Sequence, residues 1–106
     1  MLPTYDEIKI PLLAELQRRG GQSRPRDKNE SGQTIYAALA HYFSLSDKDL
    51  VEKVYEADGT ARSKWENMVR WTRNDLKKRK LLVAPSHGIW AISVSGINLL
   101  NSNQKK

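Results

Sequence analysis

The chain contains no cysteine, and histidine occurs only as His41 and His87. Disulfide scaffolds, cysteine-based zinc sites and thiol nucleophiles are thereby excluded, and an intracellular, cytoplasmic setting is expected. No apolar run approaches the roughly 20 residues of a membrane-spanning helix. Asp6 and Glu7 stand where a secretory signal would carry basic residues, so neither export nor a membrane partner is expected. A length of 106 residues leaves room for one domain. With 39% hydrophobic and 28% charged residues, the chain has the composition of an ordinary globular protein.

Acidic residues are scarce in one place. Residues 1–60 carry a net charge of −2, whereas residues 61–80 carry +6, with only Glu66 and Asp75 against eight Lys and Arg. Lys105 and Lys106 add the rest of the formal +6. Charge concentrated in one twenty-residue stretch is the footprint of a polyanion partner, most simply nucleic acid, although a solvated helix face has the same composition.

The spacing predicts a first helix over 4–19. Thr4 and Glu7 form a capping box, and Tyr5, Ile8, Leu12 and Leu16 make a core stripe that Pro11 should bend. Gly20 and Gly21 end it. The polar segment 22–31 reads as a short extended piece, with Arg24 and Arg26 flanking Pro25 as candidate phosphate contacts. A second helix follows over about 32–43, capped by Ser31 or Thr34, with Ile35, Ala38, Leu39, Tyr42 and Phe43 on its apolar face and His41 in solvent. Ser46 and Asp49 suggest another cap. Leu50, Val51, Val54 and Tyr55 would dock the acidic piece 47–60 on the domain, and Asp58-Gly59 marks a turn.

A third long helix is expected over 61–80. At 100° per residue, Ala61, Trp65, Met68, Val69, Thr72 and Leu76 gather on its core face, and Ser63, Glu66, Asn67, Arg70, Asn74, Lys77 and Lys78 on the opposite side. Trp71 falls between the two and is expected to pack under the following hairpin. That hairpin has strands Leu81–Ala84 and Ile89–Ser93, a turn at 85–88, and Trp90 and Ile92 on its buried face. Ser95 would cap a last helical turn holding Ile97, Leu99 and Leu100. The expected domain covers 2–101, with 102–106 a frayed tail or the start of a linker to a further domain.

Helix, helix, basic helix, hairpin is the order of a mainly α winged helix-turn-helix domain, in which the last helix enters the major groove and the hairpin touches the backbone. Arg70 suits guanine edges, and Asn67 and Asn74 suit adenine edges. Lys64, Arg73, Lys77 and Lys78 are placed for phosphates, with Arg62 and Ser63 at the helix start counted beside them. At the hairpin tip Ser86 and His87 can donate to phosphate, and Gly88 admits a close approach.

Four short motifs occur in order. They are Pro3-Thr4-Tyr5-Asp6-Glu7-Ile8 with Pro11-Leu12-Leu13; Ala37 and Ala40 with Phe43, Leu45 and Ser46; Trp65, Asn67, Val69 and Trp71 with Leu76-Lys77-Lys78; and Leu81-Leu82 with Pro85, Ser86, Gly88, Trp90 and Ile92. Together they resemble the N-terminal domain of Mrr-type restriction endonucleases over about residues 2–100. The resemblance implies a winged-helix module that binds double-stranded DNA, is joined to a separate nuclease domain or subunit, and reads 5-methylcytosine. The chain departs from the family pattern in its polar 22–31 segment and in Arg79-Lys80, where the family has a small Ala-Gly pair; Lys80 must therefore end the helix without glycine.

A metal-dependent nuclease needs clustered carboxylates and a lysine around a strand. The one Glu-x-Lys string, Glu7-Ile8-Lys9, opens a helix instead, so neither catalysis nor a metal or other cofactor is expected of this chain. Two alternatives use the same residues. A transcription regulator would dimerise on a palindromic site, and a protein-interaction domain would offer its basic face to an acidic partner.

Overall fold

The computed structural model describes residues 2–104. About half of the chain is helical, with small antiparallel sheets. Helix α1 (Tyr5–Arg18) leads through β1 (Gln22–Ser23) and a long loop to α2 (Ile35–Tyr42), followed by the short α3 (Asp47–Val51) and the hairpin strands β2 (Lys53–Tyr55) and β3 (Ala61–Ser63). Helix α4 (Lys64–Lys78) comes next, then β4 (Leu82–Val83), β5 (Trp90–Ile92) and α5 (Val94–Gln104).

The expected caps form. Thr4 and Glu7 close a capping box on α1, Ser46 and Asp49 another on α3, and the Thr34 hydroxyl accepts from the Ala37 N–H. Helices α1, α2 and α4 all end alike, in a left-handed residue whose successor donates back across the last turn. Gly20 has φ +89°, Ser44 +53° and Lys80 +63°. The N–H groups of Gly21, Leu45 and Leu81 then reach the carbonyls of Leu16, Ala40 and Leu76 at 2.9, 3.0 and 3.0 Å. Lys80 thus ends its helix without glycine, as its sequence requires, and holds a backbone shape that disfavours a side chain.

Ile8, Leu12, Leu13 and Leu16 of α1 form the centre of the core, closed by Ile35 and Leu39 from α2, Trp65, Val69, Thr72 and Leu76 from α4, Leu82, Trp90 and Ile92 from the sheet, and Leu100 from α5. The Trp65 indole donates to the Tyr36 carbonyl at 2.9 Å, joining the start of α4 to α2. Strand β5 lies between β1 and β4, with Leu82 opposite Ile92 and Gln22 opposite Ala91. Gly96 of α5 sits so close to this junction that a Cβ there would lie 2.2 Å from the Leu81 carbonyl oxygen.

Several expectations need correction. Residues 61–63 are strand, not helix, so Ala61 is exposed and outside the core. Segment 47–60 does not dock through its apolar residues: β2 pairs with β3 instead, and Val51 and Tyr55 are 66% and 74% exposed. Tyr5 and Tyr42 are exposed, whereas Tyr36 and Ala40 are buried. The cap of α5 is Ser93, whose hydroxyl accepts from the Gly96 N–H at 3.0 Å, not Ser95. Helix α5 extends to Gln104, while Lys105 and Lys106 lie outside the described residues.

Replacing Lys80 with Gly should raise stability by about 1 kcal/mol, because glycine meets no steric cost in this conformation. A melting curve should show the midpoint rising by about 4–8 °C for a domain of this size. An unchanged or lower midpoint would contradict the account of the helix end.

Candidate nucleic-acid interface

Helix α4 begins without a turn. Ser63 is both the last residue of β3 and the helix cap, accepting from the Glu66 N–H at 3.2 Å. The hairpin β2–β3 therefore sets where α4 starts. It also occupies two of the expected contacts: Arg62 pairs with Glu56, and Lys64 with Glu52 at 3.3 Å.

Between α4 and the β4–β5 turn runs an open groove of about 770 Å³. Seven of the thirteen residues expected at the interface line it: Arg26, Arg70, Arg73, Asn74, Lys77, Ser86 and His87. Its floor is aromatic, with Tyr36 and Trp90 edge to face at 6.2 Å. Arg26 and Arg70 lie 4.9 and 5.7 Å from the Tyr36 ring centre, and Arg73 lies 5.7 Å from that of Trp90. Guanidinium groups laid over rings keep their edges available for oxyanions.

Glu66 is the acid within this cluster. Arg26 donates to both of its carboxylate oxygens, at 2.9 and 2.6 Å, and Arg70 approaches one of them at 3.8 Å. The hydrogen bonds to Glu66 raise the Arg26 pKa further above its ordinary value. Arg70 Nε donates to the Tyr36 hydroxyl at 3.1 Å, and Arg73 Nη1 to the Asn74 side-chain oxygen at 2.9 Å. The Nε of Arg73 is buried with no hydrogen-bond partner. A buried donor without a partner is costly.

The remaining expected residues lie around this centre. Arg24 reaches the hairpin tip, where a Cβ on Gly88 (φ +80°) would sit 3.2 Å from its Nη1. Asn67 and Lys78 lie on the outer side of α4, and Lys78, like Arg73 and Lys77, makes no ion pair among the described residues. Trp71 does not pack under the hairpin. It is 55% exposed and lies beside Tyr5, Asp6 and Lys9 at the start of α1. Tyr36, Glu66 and Trp90 join the site without a sequence signal for that role; Tyr36 stands out only by its position next to Ile35.

The loop that carries Arg24 and Arg26 is held by Arg19. This buried guanidinium donates to Glu15 at 2.8 Å, to the Asp27 carbonyl at 2.7 Å and to the Gln33 carbonyl at 2.8 Å. Burial pushes the Glu15 carboxyl up, but hydrogen bonds from Arg18 and Arg19 outweigh it and hold the pKa below its ordinary 4.5.

A charged helix closed by an antiparallel hairpin, on a mainly helical core, is the class of domain these features define. The chain belongs to the Mrr N-terminal domain family, whose model matches residues 5–102, nearly its whole length. Membership associates it with Mrr-type restriction systems. No curated protein and no solved structure matches it. Among the described residues no group of three His, Cys, Asp or Glu is placed to hold a metal ion, and no helix is long and apolar enough to cross a membrane.

The depressed pKa of Glu15 gives a pH dependence of known sign. Its stabilisation is fully present above the unfolded value near 4.5 and is lost as pH falls through the lower folded value. Glu15→Gln should cost about 3 kcal/mol at neutral pH, since Arg19 stays buried without its counter-charge. Denaturant unfolding from pH 7 to pH 3 should show the wild-type advantage shrinking below about pH 4.5. An advantage that grows on acidification would refute the pairing.

Proposed function

We propose that the chain is a winged-helix module that binds double-stranded DNA for a Mrr-type restriction system. In this reading α4 enters the major groove, the β4–β5 turn is the wing against the backbone, and β1 completes the wing's sheet from its other edge. Cleavage would come from a separate nuclease domain or subunit. Sites containing 5-methylcytosine are the proposed targets.

The observation that carries this reading is the convergence of Arg26, Arg70, Arg73, Asn74 and Lys77 with Ser86 and His87 on one groove. A major groove about 12 Å wide admits one helix, and the hairpin beside α4 then meets the flanking phosphates. The Tyr36 hydroxyl holds Arg70, presenting its fork for a guanine edge. Asn67 and Asn74 are the other proposed base readers. Arg73, Lys77, Lys78, Ser86 and His87 are proposed backbone contacts, with Arg24 beside the wing. Arg26, Arg62, Ser63 and Lys64 have a weaker part, since each is engaged within the protein.

The test is a duplex-DNA titration over a range of salt. Neutralising about five phosphates should give a log–log slope near −4 to −5. Arg70→Ala should cost roughly 1–3 kcal/mol and relax specificity at one base pair. Equal weakening on every sequence would make Arg70 a phosphate contact. A flat salt response without DNA binding would end the reading and favour a protein partner.

A further inference from the structure

Single exposed apolar side chains are ordinary on protein surfaces. Trp71 stands apart through its setting. Lys64, Asn67, Trp71, Asn74 and Lys78 are spaced three and four residues apart and form one outward stripe along α4, with an asparagine about 5 Å along the axis on either side of the tryptophan and a lysine at each end. A small groove of about 400 Å³ joins Trp71 to Arg73, Asn74, Lys77 and Lys78. On its other flank lie Tyr5 and the ion-paired Asp6, Lys9, Asp75 and Arg79. The stripe is therefore polar at both ends and apolar only at its centre.

Among the groups by which base pairs differ in the major groove, the C5-methyl of a pyrimidine is the one that offers an apolar contact larger than a ring C–H. A tryptophan at the centre of a stripe of asparagine and lysine finds one apolar match there. Resting on the DNA-binding reading above, we propose that Trp71 is a specificity-determining residue that packs against a pyrimidine C5-methyl group in the major groove. Asn67 and Asn74 read the neighbouring edges, and Lys78, which makes no ion pair among the described residues, meets the backbone beside them. The methyl group belongs to thymine or to 5-methylcytosine; the contact is the same.

The test begins with duplexes that the wild-type protein selects from two random-sequence pools, one ordinary and one with every cytosine 5-methylated. These duplexes are resynthesised with deoxyuridine for thymine, with unmethylated cytosine, or with both changes. Removing the contacted methyl should weaken wild-type binding about fourfold, the equivalent of one buried methylene. The thymine and cytosine arms identify its source. Trp71→Ala should bind all versions alike with an unchanged salt slope, and Trp71→Phe should keep a methyl preference. Trp65 and Trp90 are buried, so acrylamide quenching of tryptophan emission reports mainly on Trp71, and DNA should protect it. Wild-type binding indifferent to every methyl, or a quenchable Trp71 in the complex, overturns the proposal and leaves the DNA reading intact. Failure to select or bind any duplex overturns both. A Trp71→Ala variant that changes self-association but keeps the methyl preference places Trp71 in a protein interface, and also overturns it.

Discussion

The guanidinium of Arg19 is buried beside the buried carboxylate of Glu15, and that pair decides where the chain between α1 and α2 can run. A desolvated charge pair is stable only when its remaining donors are satisfied. Glu15 takes one edge of the guanidinium, and the carbonyls of Asp27 and Gln33 take the rest. Both carbonyls belong to the long loop, whose only regular element is the two-residue β1. The loop thus folds back on the end of α1. It feeds β1 onto β5 and delivers Arg26 to the Tyr36 ring. The groove exists because its third wall is pinned by a residue that never faces it.

The groove is built from charge laid over aromatic surface. Tyr36 and Trp90 belong to the core, yet each turns a ring towards an arginine. Burial fixes the rings, the rings and the Tyr36 hydroxyl fix the guanidinium groups, and the groups then have less freedom to lose on binding an anion. Glu66 holds Arg26 through both of its carboxylate oxygens. Packing and the placement of the guanidinium groups are in this way one arrangement seen from two sides.

The caps of α1, α2 and α3 and most of the core face of α4 are legible in the sequence because their signals are local. The Thr4–Glu7 box, the Thr34 and Ser46 caps and the Trp65, Met68, Val69, Thr72, Leu76 stripe all appear where their spacing puts them. Hairpin β2–β3 was not legible, because Lys53–Tyr55 and Ala61–Ser63 have no buried face to impose alternation; their pairing is backbone hydrogen bonding with cross-strand charge. Arg26, Arg70 and His87 could be nominated from composition and position. That Tyr36 underlies the two arginines could not, since Arg26 reaches it only by the loop's return path, which is set by Arg19. Trp71 misled for a related reason. Its angular position lies at the margin of the core face, and the start of α1 runs beside it without covering it.

The charge of the 61–80 segment changes meaning once its partners are known. Arg62 and Lys64 are matched by Glu56 and Glu52 of the hairpin, and Arg79 by Asp75. These pairs are exposed and contribute little to stability. Their effect is to quieten the N-terminal end of the segment and Arg79 near its other end. Arg73, Lys77 and Lys78 make no ion pair among the described residues, and Arg70 shares an acid that Arg26 already occupies. The uncompensated field therefore comes from the C-terminal half of α4, next to the β4–β5 turn. A polyanion drawn to that half would lie along the groove, with Trp71 at its border. The +6 of this segment is thus a poor guide to where its positive field is strongest; the acids that cancel part of it decide that.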